Sequence, residues 1–257
     1  MSFTPKASQL QTQVHSYVEG TRSIVKMSLA AALSTNTFGE VYHVALSTDA
    51  VLRGLAHSRM QPRMAASRSI VLRIPFLVGI GQQSAAMVDL RRFVELMCWT
   101  VYFSDHPVEW GFFRDSPQSG FTQDARSPIS YSAHRELGYY VEYARELMQG
   151  EKSGLGVQAV EGIKAVSHQL NASVHAGHLV HATAIKPPHE IISEGALRKF
   201  SKVQRQAFSN CCLLLSAYSR PQFDKLDAVS RAHFDWLVGA KVRKKVRQGP
   251  FGLTVRN

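Results

Sequence analysis

The amino-acid sequence predicts an all-α protein, a helical bundle of about seven to eight helices with one long aromatic-rich loop. Two observations predict this fold class. Apolar residues recur every three or four positions through most of the 257 residues, and proline and glycine are concentrated between those stretches. With 45% hydrophobic and 19% charged residues, the chain is also long and apolar enough to bury a core.

The individual helices are predicted from the apolar spacing and from the helix breakers that follow it. Thr37 is expected to cap the second helix with Glu40 as its capping-box partner, and Pro62 is expected to mark the end of that helix. In chain order, the predicted helices cover residues 6–33, 37–60, 65–81, 84–104, 131–148, 157–185, 193–219 and 223–246.

Two points of organisation stay open at this level. Residues 65–81 form either a helix kinked near Pro75 or, in part, a short strand, because Ile70, Val71 and Ile74 are β-branched. The helices are predicted to form a single domain over residues 1–257, and the alternative is a subdivision into residues 1–83, 84–192 and 193–257.

Residues 105–130 interrupt the helical pattern with three prolines and two glycines. We expect Trp110, Phe112 and Phe113 to be mostly buried against the bundle, because an exposed loop with these aromatics would leave an apolar patch. The alternative is that they stack on single-stranded bases. The loop carries four acidic residues and two arginines, and this net charge of −2 favours packing over contact with a phosphate backbone.

Composition and cysteine spacing indicate the cellular compartment and the bound groups that we expect. The three cysteines, Cys98, Cys211 and Cys212, lack the spacing of a zinc site, which indicates a reducing compartment without disulfides. No secretory signal pattern precedes the first helix, and the most apolar window, residues 70–80, is too short to span a bilayer. We therefore expect a cytoplasmic protein with no membrane partner, no bound metal and no cofactor.

The positive charge is concentrated at the C-terminal end. The chain has a net charge of +11, and residues 195–257 alone hold thirteen lysines and arginines against three aspartates, a net charge of +10. A charge distribution of this kind favours an anionic partner, with nucleic acid first and a membrane surface second. A merely solubilising surface is the simpler alternative.

The predicted helix over residues 157–185 carries a polar stripe. Its members follow one another at intervals of three or four residues, so they share one helix face: Glu161, Lys164, His168, Asn171, His175, His178 and His181. Three interpretations remain open, which are a metal site using two of the histidines, a catalytic histidine, and a solvated or partner-facing surface. We favour the surface interpretation, because no further ligands with metal spacing accompany the histidines.

Two segments resemble HEPN-type helical domains, which are compact bundles of bacterial defence, toxin and mobile-element systems. They are the helix with Arg91, Arg92 and Glu95, and the segment 170–177, which reads Leu-Asn-Ala-Ser-Val-His-Ala-Gly. Many members of that superfamily are metal-independent ribonucleases that work as dimers. The resemblance covers residues 84–184 and implies a helical core, and it places His175 and Asn171 at nuclease motif positions.

The chain departs from the HEPN nuclease motif at one position. That motif has an arginine four to six residues before its histidine, and here the corresponding residue is Leu170. The arginine would stabilise developing charge on the scissile phosphate. In a nuclease interpretation, Arg91 or Arg92 would have to supply the missing cation while His175 acts as the base and Asn171 orients the phosphate.

Basic clusters in the last two helices are the predicted nucleic-acid-binding residues. They are spaced to share helix faces or are dense enough to repel one another without an anion nearby: Arg198, Lys199, Lys202, Arg205, Lys241, Arg243, Lys244, Lys245 and Arg247. A second basic stretch runs from Arg53 to Arg73 with no acidic residue inside it. No helix-turn-helix, zinc-finger or RNA-recognition pattern accompanies these clusters, so sequence-specific base reading is not expected.

The function hypothesis is therefore a non-catalytic, nucleic-acid-associated helical protein. It would bind the RNA or DNA backbone as one subunit of a bacterial or mobile-element nucleoprotein assembly, with protein partners or as a homodimer. The alternative is a HEPN-like ribonuclease toxin that uses His175.

Overall fold

A computed structural model describes residues 7–57, 60–110, 137–181 and 193–253. Within these ranges, the side chains of residues 7–14, 17 and 172–181 are not described. The helices are α1 (Ala7–Leu33), α2 (Asn36–Leu55), α3 (Gln61–Gly79), α4 (Gln83–Asp105), α5 (Leu137–Met148), α6 (Leu155–His181), α7 (Glu194–Tyr218), α8 (Arg220–Asp224) and α9 (Ala228–Gln248). All regular structure in the described ranges is helical, which confirms the predicted all-α class.

Helix α7 lies at the centre of the packing. It contacts α6, α2, α4 and α9, and its residues 211–217 are buried on every side. Its N-terminal half is amphipathic, because Leu197, Phe200 and Gln204 face the core while Lys199 and Lys202 are exposed. One continuous apolar core reaches from Val41 in α2 to Phe251 after α9.

Contacts between single residues give the relative directions of the helices. The Gln83 side chain donates a hydrogen bond to the Ala196 carbonyl, and Phe93 packs edge-on against Phe208, so α4 and α7 run parallel. Helix α6 runs antiparallel to α7. Its Gly162 lies against Asn210, while the loop residue just before α6, Glu151, bonds Gly252 beside the C-terminal end of α7.

The start of α2 differs from the prediction. Thr35, not Thr37, is the N-cap, and its hydroxyl accepts a hydrogen bond from the Phe38 amide at 3.2 Å. Helix α2 ends at Leu55, and Pro62 lies in the first turn of α3 instead of ending α2. The first turn tolerates proline because its amides have no intrahelical acceptor.

Residues 65–81 belong to a helix, so the strand alternative was wrong. Pro75 lies inside α3, which continues to Gly79. The β-branched residues Val71 and Ile74 are buried at helical spacing together with Ser67 and Val78. Burial against α2 and α4 therefore outweighs the local β propensity of this segment.

The C-terminal helix predicted over residues 223–246 is two helices. Asp227 caps the second of them, α9, by accepting hydrogen bonds from the amide and hydroxyl of Ser230. Gly239 then bends α9 through a left-handed backbone conformation, with φ of 80°. The bend lets Arg247 reach Asp235, which a straight helix would place about 18 Å away along its axis.

A buried carboxylate joins the start of α6 to the C-terminal segment. The Glu151 side chain is 5% exposed and accepts hydrogen bonds from the amides of Ser153, Gly156 and Gly252 at 2.9–3.1 Å. Burial alone would raise the pKa of Glu151, but these hydrogen bonds outweigh it and the pKa lies below the ordinary value of 4.5. Gly252 fits here because its φ is +91° and a Cβ would lie 2.9 Å from Arg220.

We expect Glu151→Gln to lower the free energy of unfolding by about 1–3 kcal/mol at neutral pH, because an amide oxygen is a weaker acceptor for three amides. Since the folded-state pKa is lowered, the carboxylate stabilises the protein above the unfolded-state pKa. That contribution disappears as pH falls below about 4.5 toward the folded-state pKa. Urea unfolding of both proteins from pH 7 to pH 3 measures this. A constant difference between them across that range would contradict the assignment.

Candidate nucleic-acid interface

The predicted basic residues of α7 lie beside an open cleft of about 620 Å³. Arg198, Ser201, Lys202 and Arg205 line it from α7, Thr37 and Glu40 from the first turns of α2, and Leu237 from α9. The cleft therefore brings together three of the nine predicted basic residues. Lys199 is exposed on the same helix but does not line the cleft.

Arg205 is the most firmly positioned cation of the cleft. One terminal nitrogen donates to Glu40 at 3.1 Å and the other to the Trp236 carbonyl at 3.1 Å. The guanidinium also lies 4.4 Å from the centroid of the Trp236 ring. Arg205 thus links α2, α7 and α9 around the cleft, while Arg198 is held on its own helix by Glu194 at 2.5 Å.

The basic residues of α9 follow the cleft closely along the chain. Lys241 comes four residues after Leu237, so their Cα atoms are no more than about 15 Å apart. Beyond the bend at Gly239, Lys241, Lys244 and Lys245 are exposed at helical spacing on one side of α9. Arg243 is exposed too, whereas Arg247 is paired with Asp235.

The structure separates the arginines of residues 195–253 from the lysines. Arg198, Arg205, Arg220, Arg231 and Arg247 all donate to carboxylates or to backbone carbonyls of the fold. The lysines and Arg243 form no ion pair with any described residue. The exposed, unpaired members of the predicted set are Lys199, Lys202, Lys241, Arg243, Lys244 and Lys245.

Most arginines of the second basic stretch are paired with buried aspartates. Arg53 and Arg68 both pair with the buried Asp49, at 2.6 and 2.7 Å, and Arg73 forms two hydrogen bonds with the buried Asp89. Arg63 is 3% exposed, and burial lowers its pKa. These four arginines stabilise the packing of α2, α3 and α4, and Arg59 lies outside the described residues.

The aromatic loop is described only as far as Trp110. This residue is partly buried and packs against Phe103, with ring centroids 5.4 Å apart, and the guanidinium of Arg63 lies 4.4 Å from its ring. The expected packing of Trp110 on the bundle is therefore present. Phe112 and Phe113 lie outside the described residues.

The residues of the ribonuclease alternative are only partly described. Arg91 pairs with Glu95 at 3.0 Å, and Arg92 is exposed and 4.0 Å from Asp89. Asn171 lies on α6 with a buried side-chain oxygen that has no hydrogen-bond partner among the described residues. The side chain of His175 lies outside the described residues, as do those of His178 and His181, so the nuclease assignment stays a prediction.

A reactive cysteine and a metal site both have little support in the described part of the chain. Burial raises the pKa of Cys98 and Cys212 to about 12 and that of Cys211 well above its ordinary value of 9.0, so these thiols are protonated and poor nucleophiles at neutral pH. Among the described residues, no group of three histidine, cysteine or acidic side chains is arranged to hold a metal. The described helices include none that is both long and apolar enough to cross a membrane.

Sequence reasoning gave Glu40 another role and missed Ser201 in the cleft and Trp236 beside Arg205. Glu40 was expected to form a capping box, but it pairs with Arg205 instead. Trp236 and Ser201 were not singled out, although Ser201 lies on the same face of α7 as Arg198 and Arg205. That shared spacing was the available signal for Ser201, whereas the role of Trp236 depends on how α9 packs.

Comparisons with known proteins give no relative to argue from. No protein-family model, no curated protein and no solved structure matches this chain.

Because the arginines are bonded to the fold and the lysines are not, we expect substitutions of the two residue types to differ in their effect on stability. Arg231 donates to the Phe223 carbonyl, and its guanidinium lies 3.9 Å from the Phe223 ring. We expect Arg231→Ala to lower the free energy of unfolding by about 1–3 kcal/mol. The matched change Lys244→Ala should leave the melting temperature unchanged, because this side chain is exposed and unpaired. Thermal unfolding of the two variants tests this, and equal effects would refute the division.

Proposed function

We propose that this chain is a non-catalytic, nucleic-acid-associated helical protein. It binds the phosphate backbone of RNA or DNA through the α7 cleft and the basic end of α9. The observation that carries the proposal is the set of exposed cations without ion pairs, which is headed by Lys202, Lys241, Lys244 and Lys245. The resemblance to HEPN-type domains suggests that the protein works in a bacterial or mobile-element defence assembly.

Physical reasoning supports a backbone partner over a base-reading one. Lysine is a flexible point charge that adapts to a run of phosphates, and each contact releases a condensed counterion. The unpaired cations follow α7 and α9, and no helix-turn-helix, zinc-finger or RNA-recognition pattern accompanies them, so contact with phosphates is favoured over base reading. The expected binding is therefore insensitive to sequence and steeply dependent on salt.

We expect the wild type to bind single- and double-stranded oligonucleotides with an affinity that falls steeply with salt. The triple variant Lys241→Ala, Lys244→Ala, Lys245→Ala should flatten the plot of log K against log[salt] on duplex DNA by about 3, close to one unit per lost phosphate contact. Fluorescence anisotropy from 25 to 250 mM salt measures both slopes.

The matched control removes the same charge from elsewhere. Lys26, Lys152 and Lys225 are exposed and form no ion pair with a described residue, and changing all three to alanine should leave the slope near the wild-type value. If both triple variants flattened the salt dependence equally, the effect would come from net charge alone, and the proposed site would be overturned. The state of the RNA after binding also separates the alternatives, since cleavage by the wild type but not by His175→Ala would favour the ribonuclease.

The assembly part of the proposal rests on an apolar surface between α2 and α3. These helices run antiparallel, because Asp49 pairs with Arg68 while Phe38 meets Gly79. Between those two contacts lie exposed apolar side chains from both helices, and their exposed fractions are 52% for Tyr42, 39% for Leu46, 46% for Leu72 and 63% for Phe76. Such a patch is typical of a contact surface.

We infer that a second copy of the chain covers this surface with its α1. The C-terminal part of α1 packs on its own body, where Leu29 lies beside Gly79, whereas Val18 is 50% exposed. Among the side chains that the structure describes, α1 thus offers exposed apolar residues next to the exposed apolar surface of α2 and α3. In a two-fold dimer, each α1 would cover the other subunit's groove.

Light scattering at several protein concentrations tests this association. We expect a dimer for the wild type and a monomer for Leu72→Glu combined with Phe76→Glu, because two carboxylates in the groove would oppose burial. The control Val108→Glu changes an exposed apolar side chain outside α2 and α3, which is 72% exposed. This control should leave the dimer intact. A wild-type monomer at all concentrations would remove the dimer from the proposal.

A further inference from the structure

The floor of the α7 cleft holds a hydroxyl group without a partner. Ser201 is 3% exposed and lines the cleft, and its hydroxyl has no hydrogen bond to any described residue. Three buried helical serines, Ser67, Ser104 and Ser167, bond back to the carbonyl four residues earlier, at 2.5–2.8 Å. Ser28 and Ser216 also have no partner among the described residues, but neither lines the cleft. The Ser201 hydroxyl is therefore available to a group that enters the cleft.

Cations surround that hydroxyl along one face of α7. Lys202 is adjacent in the chain and unpaired, while Arg198 and Arg205 lie about one turn on either side. Arg205 is held in place by Glu40 and by Trp236, so a ligand would not have to order it. Positive groups fixed before binding favour an anion at little entropic cost.

The opposite wall of the cleft is the N-terminal turn of α2. Thr37 lines the cleft there, and the Thr35 hydroxyl already satisfies the Phe38 amide. The amides of Asn36 and Thr37 precede it in the first turn, where no intrahelical carbonyl is within reach. The positive end of the α2 dipole therefore adds to the field of Lys202, while the Glu40 carboxylate offsets the charge of Arg205.

We propose that the cleft binds the terminal phosphate of a nucleic-acid strand, an inference that rests on the proposed nucleic-acid association. A phosphomonoester carries between one and two negative charges at neutral pH and presents three free oxygens. It can meet Ser201, Lys202 and the first turn of α2 at once. An internal phosphodiester carries a single charge and a sugar on each side, and these sugars keep it on the exposed lysines of α7 and α9, away from the buried hydroxyl of Ser201.

The test compares strands that differ only at their ends. One single-stranded oligonucleotide is prepared with a 5′-phosphate, with a 3′-phosphate and with hydroxyl groups at both ends, and each is bound to the full chain at fixed salt. We expect one phosphorylated form to bind at least about tenfold more tightly than the hydroxyl form, the equivalent of one or two charge-assisted hydrogen bonds. A nucleoside monophosphate added in excess should abolish that increment.

Two variants separate this inference from the proposed function. Ser201→Ala alone should remove most of the preference while leaving the hydroxyl strand within about threefold of its wild-type affinity, with an unchanged melting temperature as the check on folding. The triple lysine variant of α9 should weaken all three strands alike and keep the preference. Equal wild-type affinity for all three strands would overturn the terminal-phosphate site alone, whereas no binding of any strand at low salt would overturn the proposed function.

Discussion

The burial of α7 is the constraint on which the rest of the structure depends. Its C-terminal residues 211–217 are enclosed on every side, which fixes the helix among α2, α4, α6 and α9. The approach of α6 is close because residue 162 is glycine, where a Cβ would lie 2.2 Å from the Asn210 side chain. Since one rigid helix is anchored in the core at one end, the basic face at its other end is held in a defined place.

A second consequence concerns how the protein uses its positive charge. Buried carboxylates need partners, and Asp49 and Asp89, each 4% exposed, are compensated by Arg53, Arg68 and Arg73. Arginine suits this role because its planar group forms several directed hydrogen bonds and loses little hydration energy. The exposed lysines around the cleft and on α9 form no ion pair within the described part of the chain, and this marks the surface that an anion would meet.

The molecule has two separate candidate surfaces. One is the cleft with the basic end of α9, and the other is the apolar surface between α2 and α3. Gly239 redirects α9, so that Lys241 to Lys245 follow on from the cleft, and the pair formed by Arg247 and Asp235 secures that bend. The apolar groove lies on the α3 side of α2, whereas Glu40 on its other side points into the cleft. The second copy and the nucleic acid that we propose as partners would therefore contact different surfaces of the chain.

The sequence by itself determined the helical class and the location of the positive charge. Apolar spacing predicted the main helices, because a helix packed on a core must repeat its apolar face every 3.6 residues. The spacing could not distinguish Thr35 from Thr37 as the N-cap of α2. It also could not show that Arg53, Arg68 and Arg73 form ion pairs with buried aspartates. The structure decided those points, because spacing alone does not show which threonine begins the helix or which aspartates are buried. The tertiary structure also decided the cleft at Ser201 and the stacking of Arg205 on Trp236, because contacts between residues 31 or more positions apart leave no periodic trace in the chain.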